Sequence, residues 1–261
     1  MRALSIGATG MQAQQLNVEV ISNNIANIST TGFKRSRAEF QDMLYENMRR
    51  VGSPTSDAGT LLPSGLQVGL GVKPVATYRI NEQGSLTVTD NEYDLAINGY
   101  GYFQIAMPDG ATGYTRAGSF QLDEDGQIVT ADGYPLTPAI TIPADAVSVT
   151  ISKSGDVSAE IKGQSELQSL GTIEIASFVN SAGLAAIGDN LLMETAASGS
   201  PTTGAPNSDN LGTLIQGSVE TSNVNVVSEI TGLITAQRAY EMNSRVIKAA
   251  DDMLTTISQL R

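Results

Sequence analysis

Near the N-terminus, Leu4, Met11, Val18 and Ile25 recur every seven residues, and Gly7, Gln14, Ile21 and Ile28 form a companion series at the d-type offset. Together they draw a heptad seam, weak where Gly7 and Gln14 stand in for large apolar residues. The helix predicted here stops near Ile28, because Ser29, Thr30, Thr31 and Gly32 are turn formers. The C-terminus carries the pattern more strongly. Val226, Leu233, Tyr240, Ile247 and Leu254 recur every seven residues, with Ile230 among them, and Val246, Met253 and Leu260, with Ala250 and Ile257, make an adjoining stripe. Roughly 35 residues from Asn223 onward hold one glycine, Gly232, and no proline, so a helix of about 50 Å is expected. A domain of this size cannot cover so long an apolar helix, which must pack on something outside the globular core.

Between these ends the period changes. Val72 to Ile80, Gly84 to Thr89, Leu95 to Ile105, Gly113 to Leu122 and Gln127 to Thr130 are rich in β-branched and aromatic residues, with Gly, Pro, Asn and Asp between them. Asn98-Gly99, Asp109-Gly110, Asp125-Gly126 and Asp132-Gly133 are hairpin-type dipeptides. Val147 to Ile151 and Gly171 to Phe178 read as further strands. Short strands at this spacing predict an antiparallel β domain with curled or barrel-like sheets. Two stretches, Val51 to Gly71 and Ala196 to Gly212, are so rich in Gly, Ser, Pro and Thr that they read as an arm and a structureless loop.

The fold class expected is therefore α+β: long terminal helices paired in a coiled-coil-like bundle, a central antiparallel β domain and an extended arm. The divisions are residues 1–32 (N-terminal helix, pairing with 223–261), 33–71 (arm or hairpin), 72–222 (β domain) and 223–261 (C-terminal helix). Both apolar seams are most simply buried by pairing with each other and with neighbouring copies. Subunit contacts are accordingly expected at Leu4, Met11, Val18, Ile21, Ile25 and Ile28, and at Val226, Ile230, Leu233, Tyr240, Val246, Ile247, Met253, Leu254, Ile257 and Leu260. The arm would contribute Pro54, Leu62, Pro63, Leu66 and Val68. A protein built this way is a filament or bundle subunit.

Composition narrows the chemistry. The 261 residues are 41% apolar and 16% charged, enough for a packed core and too few charges for a disordered chain. A net charge of −12 repels phosphate, which sets nucleic acid aside. There is no cysteine, so no disulfide or thiolate metal site, and no histidine, the commonest general base and metal ligand. No continuous apolar run follows Arg2, so no cleavable secretory signal is expected. No stretch approaches the about 20 apolar residues that span a bilayer. The residues alone thus read as cytoplasmic, unless export uses a route without a cleavable signal.

The remaining candidate motifs are weak. Asp123-Glu124-Asp125-Gly126 resembles half a calcium loop, but Gln127 and Tyr134 stand where the fifth and twelfth ligands belong, so a solvated hairpin turn is the better reading. Gly65-Leu66-Gln67-Val68-Gly69-Leu70-Gly71 lacks phosphate-loop spacing and reads as backbone that turns or passes close to another chain. Asn27-Ile28-Ser29 fits a glycosylation sequon at the end of a seam helix and is taken as chance. Arg238, Glu241, Arg245 and Lys248 are spaced either for pairs along one helix or for links between helices that set register. A carboxylate enzyme acting on cell-wall polymers, through Asp90 and Glu92 or Asp123 and Asp125, is the alternative class. Carboxylates two apart in a turn are usually just solvated. No catalytic, cofactor or metal residue is expected.

Three longer stretches identify a relationship. Asn23-Asn24-Ile25-Ala26-Asn27-Ile28-Ser29-Thr30-Thr31-Gly32-Phe33-Lys34 resembles the N-terminal signature of the flagellar rod and hook proteins. Tyr114-Thr115-Arg116-Ala117-Gly118-Ser119-Phe120, with Asp123, Gly126, Val129-Thr130 and Gly133-Tyr134, resembles that family's central motif. Ser222-Asn223-Val224-Asn225 and Gln237-Arg238-Ala239-Tyr240-Glu241-Met242-Asn243-Ser244 are similar to its C-terminal signature. Leu62 to Val72 resembles the segment typical of its distal rod members rather than proximal rod or hook-like ones. The resemblance implies a rigid, hollow helical homo-oligomer of the basal body that crosses the periplasm to the outer membrane, transmits torque and conducts exported subunits. It implies as partners the proximal rod proteins, the hook protein, the encircling P and L rings and the flagellar type III export apparatus, whose route needs no cleavable signal peptide.

Overall fold

A computed structural model describes residues 2–49, 64–163, 166–208 and 210–259, without the side chain of Ile257. Pro54, Leu62, Pro63 and Leu260 lie outside the described residues. The chain forms two compact units. The first takes in Met1–Ile25, Ser36–Tyr78 and Asn225–Arg261, and the second Ala26–Arg35 and Arg79–Val224.

The first unit is built on two helices, α1 (Arg2–Ala26) and α2 (Val226–Gln259). Asn225 caps α2: its Oδ1 accepts from the Val227 and Ser228 amides at 3.1 and 3.2 Å, satisfying donors that the first turn cannot pair internally. Among the described residues, four strands accompany them: β1 (Ser36–Asp42), β2 (Tyr45–Arg49), β3 (Leu66–Gly69) and β4 (Val72–Arg79). β2 pairs antiparallel with β3, setting Glu46 opposite Val68 and Arg49 opposite Leu66, and β1 is hydrogen-bonded to β4. The flanks of the expected arm are thus strand-paired within the chain. Val72 to Tyr78, expected in the central β domain, belongs to the unit of the helices. Gly71 passes against Thr9 of α1, a close approach within the chain where one to another chain was the expectation.

The second unit is antiparallel β. Its strands are β5 (Leu86–Val88), β6 (Leu95–Asn98), β7 (Tyr102–Ala106), β8 (Thr112–Thr115), β9 (Gln121–Leu122), β10 (Ile128–Val129), β11 (Ala146–Ile151), β12 (Asp156–Ile161), β13 (Gln168–Thr172), β14 (Ile175–Ser177), β15 (Ala185–Gly188), β16 (Leu191–Met193), β17 (Thr202–Gly204), β18 (Thr213–Gln216) and β19 (Ser218–Glu220). The largest sheet runs β15-β16-β8-β7-β14-β17. β11, β12 and β13 form a second sheet, and shorter pairs join β18 to β6, β19 to β5 and β10 to β9. The core between them holds Leu95, Phe103, Ile105, Phe120, Val157 and Ile175, each at most 1% exposed. Phe103 and Phe120 meet edge to face with centroids 5.1 Å apart.

Hairpin chemistry places most of the turns. Gly110, Gly126 and Gly133 each donate an amide hydrogen to the carbonyl three residues back, Met107, Asp123 and Thr130. Asn98-Gly99 departs from expectation: β6 pairs with β18 and not with β7, so the dipeptide makes a corner where the chain changes sheets. Ala196 to Gly212 also departs from its expected lack of structure. Thr202–Gly204 forms an edge strand on β14, and buried Ser198 holds the preceding turn, accepting from the Thr195 amide and donating to the Thr195 carbonyl. Small polar residues here satisfy backbone groups locally, which composition alone does not reveal.

Gly32 sits in this unit with φ +69°, and its amide donates to the Glu220 carbonyl at 2.8 Å. A Cβ there would stand 2.5 Å from the backbone nitrogen of Ala117. Replacing Gly32 by Ala adds left-handed strain to a clash with main chain, so a loss of about 2 kcal/mol or more in stability is expected. Urea unfolding of the variant checks it, and a midpoint equal to the parent's contradicts this account of the turn.

Candidate functional site: a buried ion cluster and the helix faces

Within the second unit lies a carboxylate with no exposed surface. Glu220, at the end of β19, accepts from Lys34 Nζ through Oε1 at 2.6 Å and from Arg116 Nε through Oε2 at 2.9 Å. The Gly84 amide donates to Oε1 at 2.8 Å. The cations are completed by carbonyls: Lys34 donates to Glu82 at 2.7 Å, and Arg116 to Gly99 and Gly101 at 2.9 and 2.7 Å. Burial pushes the Lys34 ammonium pKa below its ordinary value, and the bond and charge of Glu220 oppose that shift. Beside the cluster, Asn223 accepts from the Arg35 amide and donates to the Ile80 and Glu82 carbonyls. Lys34 comes from the N-terminal signature, Arg116 from the central motif, and Asn223 from the C-terminal signature. The three stretches legible in the sequence meet at one point.

In the first unit the helices touch through small and polar residues. A Cβ on Gly7 would stand 2.9 Å from Ile247 Cγ1, and one on Gly10 2.8 Å from Asn243 Nδ2. Further along, Gly232 faces Ile21, and Asn24 Nδ2 donates to Glu229 Oε2 at 3.2 Å and to the Ser36 carbonyl at 2.8 Å. Ala13, Ala236 and Ala250 are buried on the same elements. The contact on α2 therefore combines Glu229, Ala236, Asn243 and Ala250, spaced by seven, with Ile247 of the expected series, which Gly7 meets. Small side chains let two backbones approach closely, and large ones at those positions would hold them apart.

The large apolar residues are left outside. Val226, Ile230, Tyr240, Val246, Met253 and Leu254 are all exposed, as are Val227, Ile234 and Met242, the last at 66%. Leu233 and Ile247 are half-buried. On α1, Ile21 is buried and Leu4, Met11, Val18 and Ile25 are half-buried. Ile28 falls beyond the end of α1, in the second unit. Leu66 is exposed and Val68 half-buried on β3. Sequence reasoning missed Glu220, Asn24 and Glu229, polar residues whose burial no local pattern signals.

Asp123 to Gln127 forms the β9–β10 hairpin turn, with the Asp123 amide donating to the Gln127 carbonyl at 3.0 Å. No cluster of potential metal-binding side chains occurs among the described residues. No helix among them is long and apolar enough to cross a membrane.

A well-packed β unit joined in sequence to helices with uncovered apolar faces defines the class: a subunit made to assemble. Comparison with known proteins gives the branch. Family models match residues 4–34 (flagella basal body rod protein), 96–159 (flagellar hook protein FlgE/F/G D1 domain) and 215–260 (flagellar basal body rod FlgEFG protein, C-terminal). The flagellar basal-body rod protein FlgG of Caulobacter vibrioides is 59% identical over all of both chains. Those of Agrobacterium fabrum and Bacillus subtilis are 51% and 38% identical, over 99–100% of each chain. The chain belongs to the FlgG family, the distal rod proteins of the flagellar basal body, and is a structural subunit of the rod.

Glu220→Ala leaves two cations in the second unit without their anion, and such losses cost about 3–5 kcal/mol. Thermal unfolding should show a correspondingly large fall in midpoint. A variant melting with the parent would mean that water or relaxed backbone already solvates Lys34 and Arg116.

Proposed function

We propose that α1 and α2 pair in a coiled-coil-like bundle and that identical subunits assemble into a hollow helical tube. The tube transmits torque from motor to hook and conducts exported subunits. The observation that supports this is the uncovered apolar surface of α2. A single chain leaves Val227, Ile230, Ile234, Met242 and Met253 in water, each side chain forgoing about 1.5–3 kcal/mol of burial, while the β unit closes its own core. Neighbouring copies recover that energy. The contacts would be made by Leu4, Met11, Val18, Ile25, Val226, Ile230, Leu233, Tyr240, Val246, Ile247, Met253 and Leu254, on helices described here.

The wider assignment follows the family. We read the rod as joined to proximal rod proteins and the hook protein, encircled by the P and L rings, crossing the periplasm to the outer membrane, and reached through the flagellar type III apparatus without a cleavable signal peptide. We read the subunit as non-catalytic. The segment around Pro54, Leu62 and Pro63, with Leu66 and Val68, acts as an arm that limits sliding between subunits and stiffens the tube.

Two experiments test this reading. A chain carrying Ile230→Asp and Ile234→Asp, expressed in cells lacking the parent, should build no rods, since each copy would bury two unpaired carboxylates. Its β unit should melt normally. Rods of ordinary number in electron micrographs of basal bodies would refute the assignment of this face. Deleting residues 52–63 should still allow polymers, but more flexible ones. An unchanged persistence length would return stiffness to the helices and β unit alone.

A further inference from the structure

A groove of about 510 Å³ runs between α1 and α2, lined by Gln15, Val18, Glu19, Gln237, Tyr240 and Glu241. Its floor is apolar and its two charged residues are both acidic. Gln15 Nε2 reaches Glu19 at 3.2 Å, and no ion pair to Glu19 or Glu241 occurs among the described residues. On another flank of α2, about 130° around the helix from the groove, lies a face of opposite character. Met242, Val246 and Met253 are exposed there by 66, 49 and 60%, with Arg238 four residues before Met242 and Arg245 three after it. Neither arginine has an ion-pair partner among the described residues.

We propose that the acidic-rimmed groove receives the Met242 face of a second copy, with Met242 over Val18 and Tyr240, and Arg238 and Arg245 against Glu19 and Glu241. This inference rests on the reading of the chain as a self-assembling subunit and names the contact that propagates it. The charges complement, and an apolar ridge meets an apolar floor. Because groove and ridge are different surfaces of one chain, the contact is heterologous. Each copy keeps a free groove at one end and a free ridge at the other, so the contact can propagate, and a rotation between copies that does not close makes it an open helix. Arg238, Glu241 and Arg245, whose spacing allowed either pairs along one helix or links between helices, take the second role.

The chain has no cysteine, so a cross-link can be introduced without background. The full chain carrying Val18→Cys and Met242→Cys is expressed in cells lacking the parent, and rods are oxidised and run without reductant. The expected result is a ladder of dimers, trimers and higher multimers, with each single-cysteine chain staying monomeric. Rods that form without a ladder overturn the contact while leaving the assembly reading intact. Dimers from a single-cysteine chain, or an adduct with a different protein, also overturn it. If the unsubstituted chain builds no rods, the assembly reading fails and this inference with it. Should the cysteines themselves block assembly, charge exchange decides. Glu19→Lys with Glu241→Lys should lower rods per cell about tenfold. Adding Arg238→Glu and Arg245→Glu to the same chain should restore them, and no recovery counts against the contact.

Discussion

Burying Glu220 is the constraint on which the second unit turns. Taking a carboxylate fully out of water costs several kcal/mol, and so does taking out each of the two cations beside it. The cluster holds two positive charges and one negative, and it is tolerable because the carbonyls of Glu82, Gly99 and Gly101 accept the donors that Glu220 does not. Nothing in this arrangement is local. Lys34 and Glu220 are 186 residues apart in sequence, and Arg116 and Glu220 104. The sheets that carry Gly99, Gly101 and Arg116 must therefore be in register before the ions have their partners. A cluster of this kind adds little net stability over an apolar filling of the same shape, but a structure that misplaces any one member leaves charge in the core. It selects one arrangement of the segments 26–35 and 220–224, which follow α1 and precede α2 in the chain.

Much of this was legible beforehand, and the divisions between success and failure have physical causes. A period of seven marks a helix whatever covers it, so α1 and α2 were found nearly to the residue, ending at Ala26 where Ile28 was expected. Asp-Gly dipeptides impose a turn through the glycine backbone, and those at 109–110, 125–126 and 132–133 make one. Register was harder. Leu4, Met11 and Val18 carry the strong apolar signal, yet the described contacts run through Gly7, Gly10, Ile21 and Asn24, of which Gly7 and Ile21 belong to the expected seam. Hydrophobic pattern reports that a face will be covered, and not by which molecule. Glu220 was invisible for a related reason: a glutamate at the end of a strand reads as solvated unless its two cations, far away in sequence, are known to converge on it. Arg116 could have raised the question, since it sits inside a stretch otherwise made of apolar and turn-forming residues.

Small residues inside and large ones outside divide the energy of the two units differently. A seam of Gly, Ala and Asn lets α1 and α2 approach closely but buries little apolar area, so it sets the geometry of the pair more than its stability. The β unit, with Leu95, Phe103, Ile105 and Phe120 almost wholly buried, closes its own hydrophobic account. If the apolar faces of α2 are covered by further copies, the free energy that orders the helices depends on subunit concentration, as it does for any interaction that binds the folded form alone. The β unit is then folded at any dilution, and the helix pair gains its full stability only where copies accumulate, at the growing end. On that proposal, the contacts that rigidify the helices are the ones that assembly itself supplies.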